Sequence, residues 1–115
     1  MKKEALEVLK NRRSIRKFQS RQISAEELDT VLEAGTYAPT AGGRQAPVIV
    51  AVQDAETVAA LDAMNAKVMG NASAHPYYGA PTILIVLAPE DAIVPEIDCA
   101  LAGGNLLNAA YAAGL

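Results

Sequence analysis

The chain has 115 residues, 51% of them hydrophobic, which is enough to enclose one core and too few for two ordinary domains. A single cysteine, Cys99, and a single histidine, His75, exclude an internal disulfide and leave no cluster spaced like a zinc site. The net charge of -3 conceals an asymmetry, because residues 1–21 carry eight of the ten Lys and Arg against Glu4 and Glu7 alone, and the remainder is strongly acidic.

In chain order, "KKEALEVLKN" spaces Ala5, Leu6, Val8 and Leu9 as one face of a short amphipathic helix that runs into the basic stretch "RRSIRKF". Next, "SAEELDTVLEAGTYAP" opens with Ser24 and Glu27 as a capping box and predicts a helix with Leu28, Val31, Leu32 and Tyr37 on its apolar face. Pro39 and the "TAGGRQAP" stretch end it in an irregular loop. "VIVAV" (48–52) and "TILIVLA" (82–88) lack polar alternation and predict strands buried on both faces. Between them, Asp54 caps a helix over "DAETVAALDAMNAKVMGN", followed by the loop "ASAHPYYGAP". Finally, residues 95–115 predict a long helix, begun by Pro95 and apolar on nearly every side, which implies a central, enclosed element. Two strands and such a helix need more covering protein than these elements supply, so the expected α+β domain over residues 1–115 either stops mid-domain in this chain or has its core completed by other chains. No apolar run approaches the ~20 residues of a membrane-spanning helix, and the lysines near Met1 lead into Glu4 and Glu7 rather than a signal peptide, so a cytoplasmic protein with no membrane partner is expected.

Three segments carry candidate chemistry. In "RRSIR", a helical backbone puts Arg12 and Arg16 on one face at i and i+4, and an extended one puts Arg12, Ser14 and Arg16 on one face. Either way the guanidiniums converge, with Ile15 and Phe18 as anchors to the core, and the set suits a phosphate monoester or another small anion. The bland alternative is a solvated basic surface. A nucleic-acid arm ranks last, since the acidic body repels a polyanion and no aromatics interleave the basic run. The loop "APTAGGRQAP" lets a ligand approach its glycines and offers Thr40 and Gln45 as hydrogen-bonding groups, or it is a plain turn. In "HPYYGAP", Tyr77 and Tyr78 suit the wall of a pocket for a flat ligand, while His75 has no partner carboxylate at an obvious spacing. Asp98 favours the helix dipole and Cys99 packs as a small apolar residue. No P-loop, dinucleotide fingerprint, zinc motif or nucleophile elbow occurs.

Taken together, "RRSIRKF", "ISAEELDTVLEAGTYAPTAGGRQAP", "VIVAV", "YYGAPTILIVL" and "DCALAGGNLLNAAYAAGL" resemble, in order and spacing, the FMN-dependent nitroreductase family, over nearly the whole chain. The resemblance implies a nitroreductase-like sheet flanked by helices around a long central apolar helix, with this chain as the N-terminal part of the family's usual length. It implies that Arg12, Arg13, Ser14 and Arg16 hold FMN, with Arg12 and Ser14 toward the phosphate and ribityl chain and Arg16 at the pyrimidine edge. Pro39, Thr40, Ala41 and Gly42 would contact the flavin from the partner subunit of a homodimer, with Gln45 close by. It further implies electron transfer from NAD(P)H to a nitroaromatic, quinone or similar small-molecule acceptor, with no catalytic side-chain nucleophile and no metal. The alternative is a non-catalytic module of the same fold that binds a flavin or another phosphorylated ligand. Where the family commonly has Asn and then Gln-Pro-Trp, this chain reads Gly43, Arg44, Gln45, Ala46 and Pro47.

Overall fold

The computed structural model describes residues 4–115. Lys2 and Lys3, which belong to the basic segment, lie outside the described residues. Four helices and two strands follow in the order α1 (Ala5–Asn11), α2 (Ala25–Thr36), β1 (Val48–Val52), α3 (Ala55–Val68), β2 (Ile83–Leu87) and α4 (Pro95–Ala112). β1 and β2 pair as a two-stranded sheet.

Local signals account for the boundaries. Ser24 Oγ accepts from the Glu27 amide at 3.1 Å while Glu27 Oε2 accepts from the Ser24 amide at 2.7 Å, so both orphan donors at the start of α2 are satisfied. Asp54 Oδ2 accepts from the Thr57 amide at 2.9 Å and from its hydroxyl at 2.6 Å at the start of α3. Pro95 occupies the first turn of α4, where its missing N–H is not needed.

The chain forms two compact units. The first takes in the chain up to Arg13, Ser24–Val50 and Val86–Leu115. Its core is a helical seam: α4 buries Asp98, Ala102 and Leu106, one residue every four, and packs chiefly on α2, which buries Val31 and Gly35. Asn105 Nδ2 reinforces the seam by donating to the Ala34 carbonyl at 2.9 Å. α1 adds Val8. The second unit takes in Ser14–Ile23 and Ala51–Ile85 and is built on α3, with Ala66 fully buried.

Three expectations are corrected. β1 leaves Val48 and Val50 exposed and no residue of β2 is fully buried, so neither strand is covered on both faces. α4 is not enclosed, since Ile97, Leu101 and Leu107 are exposed opposite the 98/102/106 stripe. The reason is the same for both: an element apolar on all sides needs neighbours on all sides, and the packing within this unit covers one face. Ile15 and Phe18 are 52% and 44% exposed, so they do not anchor the basic segment in a core. The segment is irregular from Arg12 to Ser24, which excludes the helical alternative for "RRSIR".

Candidate functional site

Two groups of candidate residues lie in the first unit. α1 ends at Arg12, where the backbone turns extended (φ -55°, ψ 139°). The Arg13 guanidinium folds back to donate to the Lys10 and Arg12 carbonyls at 3.1 and 2.9 Å. Arg12 is half-buried, and Arg13 is exposed. The second group is the turn after Pro39, where residues Ala41–Gly43 make one 3₁₀ turn. Gly42 and Gly43 adopt left-handed φ of 61° and 65°, which glycine alone adopts at little cost, and Gln45 follows them at φ 52°. Thr40 Oγ1 accepts from the Gln45 amide at 3.0 Å, and Asp98 Oδ1 of α4 accepts from the Ala41 amide at 3.1 Å. Thr40 and Gln45 thereby meet at a hollow of about 310 Å³ whose other walls include Leu32, Gly35, Ile49 and Ala102. Pro39, Gly42 and Gln45 are exposed and Ala41 is half-buried.

In the second unit, Ser14 and Arg16 are exposed. Among the described residues, Arg12, Arg13 and Arg16 have no carboxylate within ion-pairing distance, whereas His75 does. His75 Nδ1 lies 3.0 Å from Asp62 Oδ2, and the other oxygen of Asp62 accepts from the Tyr77 amide at 3.0 Å. The sequence offers His75 no carboxylate at an obvious spacing, and the fold supplies one. The Tyr77 amide first, and then the His75 ring, hold the Asp62 carboxyl below its ordinary range. At the start of α3, the Thr57 hydroxyl and amide do the same for Asp54. Asn65 Nδ2 donates to the Tyr77 hydroxyl at 2.7 Å. Tyr77 and Tyr78 line a hollow of about 640 Å³ together with Gln22, Gln53, Asp62 and His75, so both tyrosines wall a pocket. Gln22 closes one side, donating to the Pro81 carbonyl at 3.0 Å and accepting from the Ile23 amide at 3.0 Å and the Thr82 hydroxyl.

Sequence reasoning missed two of these groups. Asp62 stands thirteen residues before His75 and on a helix, so the pair exists only through the fold. Asp98 reads in the sequence as an acidic residue near the start of a helix, beside Glu96, and its partner is 57 residues away.

Comparison with known proteins fits this arrangement. Residues 9–115 match the Nitroreductase family. A relative from Methanothermobacter thermautotrophicus, for which NADH dehydrogenase/NAD(P)H nitroreductase activity has been proposed, is 31% identical over 124 residues, covering 99% of this chain and 59% of its own length. The crystal structure of a nitroreductase with bound FMN from Bacteroides fragilis is 31% identical and superposes with a TM-score of 0.84, covering 94% of this chain and 64% of that one. A nitroreductase with bound FMN from Desulfitobacterium hafniense gives 0.85 at 26% identity, covering 99% and 68%. The chain thus spans about three-fifths of the length of the relatives it matches. The nitroreductase-like fold expected from the sequence is borne out, and the chain belongs to the nitroreductase family.

Proposed function

We propose that the protein is an FMN-dependent oxidoreductase that passes electrons from NAD(P)H to a nitroaromatic, quinone or similar small acceptor, as a cytoplasmic homodimer and through one nitroreductase-type domain. The observation that carries this reading is the likeness, over 94% of the chain, to a nitroreductase with FMN bound. The residues present fit that cofactor. Arg12, Arg13 and Arg16 keep guanidiniums unclaimed by carboxylates among the described residues, and a guanidinium fork matches a phosphate bidentately. Gly42, exposed and left-handed, allows close approach of a flat ring to the backbone.

In this reading Arg12, Arg13, Ser14 and Arg16 hold FMN, with Arg12 and Ser14 toward the phosphate and ribityl chain and Arg16 at the pyrimidine edge, where its charge favours an electron-rich ring. The turn bearing Pro39, Thr40, Ala41 and Gly42, with Gln45 beside it, closes the pocket from the other subunit. FMN, when bound, supplies the redox chemistry, so no side-chain nucleophile is needed. The protein's part is to bind, orient and bias the cofactor.

The test is an anaerobic spectrum of the full chain reconstituted with FMN. Bleaching of the flavin by NADH or NADPH, reversed by a nitroaromatic or quinone, is the expected result. Uptake of FMN with no bleaching by either nucleotide would favour the binding-module alternative, and no uptake would overturn the flavin reading.

A further inference from the structure

We infer that Asp98 is the positioning residue of the 39–45 turn, fixing it so that the Gly42 amide is the donor this turn offers to a bound flavin. The inference rests on the flavin reading above. Asp98 is 3% exposed and is the one buried charged side chain among the described residues, in a helix whose other buried positions are Ala102 and Leu106. A carboxylate placed there must be hydrogen-bonded, and its Oδ1 reaches across to the Ala41 amide at 3.1 Å.

The turn divides its amides unevenly. Ala41 donates to Asp98, Gly43 to the Thr40 carbonyl at 3.0 Å, Arg44 to the Ala41 carbonyl at 3.4 Å, and Gln45 to Thr40 Oγ1 at 3.0 Å. Of the five amides from 41 to 45, that of Gly42 takes no partner among the described residues, and Gly42 is exposed. Gln45 at φ 52° shows that the turn is held against an intrinsic preference, because a side-chain-bearing residue rarely adopts that region unaided. The Thr40 bonds are internal to the turn and cannot fix it to the body of the protein. Among these bonds, Asp98 supplies the one that ties it to α4. The role requires an acceptor and not a charge, so asparagine should replace aspartate and alanine should not.

Residue-resolved amide exchange and FMN fluorescence titration on the full chain, its Asp98→Asn and its Asp98→Ala variants test this. Ala41 is expected to exchange at least about tenfold more slowly than Gly42 in the wild type, and Asp98→Ala to erase that difference and weaken FMN affinity by about tenfold. Asp98→Asn is expected to retain both properties within about a factor of two. Equal exchange at Ala41 and Gly42 in the wild type overturns the inference even where Asp98→Ala fails to fold. Unchanged FMN affinity in a folded Asp98→Ala protein, or an Asp98→Asn protein that behaves like it, overturns it as well. If the wild type takes up no FMN, the flavin reading fails and the donor role of Gly42 with it, while the exchange data still report whether Asp98 holds the turn.

Discussion

Gly35 lies so close to Leu106 that a Cβ added to it would sit 2.6 Å from Leu106 Cδ2, with Ile49 Cδ1 at 2.7 Å on another side. A side chain here would force Leu106 and Ile49 to move, so glycine is favoured by close contact with these side chains and not by an unusual backbone angle. Gly35→Ala is expected to destabilise the protein by about 1–3 kcal/mol through overpacking, although alanine is the better helix former. Urea denaturation should show a lower midpoint. A midpoint equal to or above that of the wild type would mean that the seam is looser than these distances state.

The α2 cap gives a second stability test. Ser24→Ala removes the acceptor for the Glu27 amide and is expected to cost about 1 kcal/mol. Thermal melts of the two proteins compare the outcome directly, and an unchanged melting temperature would contradict the cap's contribution.

The Asp62 carboxylate makes stability depend on pH. Its folded pKa is depressed from the ordinary 3.8, first by the Tyr77 amide and then by His75, so its contribution is present above that value and is lost as the pH falls through the folded pKa. Denaturant midpoints measured from pH 6 down to pH 3 should therefore fall more steeply for the wild type than for Asp62→Asn. Parallel curves would show that the bonds from Tyr77 and His75 do not persist in solution.

What the sequence reveals of this molecule follows the range of the forces involved. Ser24 with Glu27, Asp54 and Pro95 act within one turn of the chain, and the helices begin where those residues place them. β1 covers the β-branched run 48–52, because such a run between turn residues has few other uses. Burial is a collective property and was less legible. The apolar character of Val48, Val50, Ile97 and Leu107 implied cover on all sides, and each is exposed. Ile15 and Phe18 misled in the same way. The site was legible in its residue types, since the arginines of "RRSIR" and the glycines after Thr40 announce an anion and a close backbone approach. The ties from Asp98 to Ala41 and from Asp62 to His75 and Tyr77 were not, because each joins positions that meet only after folding.

The central claim is that arginines near the amino end hold the flavin, and it is tested most directly by titrating FMN fluorescence with the wild type and with Arg12→Ala and Arg16→Ala proteins. A charge-assisted hydrogen bond is worth about 1.5–3 kcal/mol, so each substitution is expected to weaken FMN affinity by roughly tenfold to a hundredfold while circular dichroism stays unchanged. Both variants binding FMN as tightly as the wild type would contradict the account.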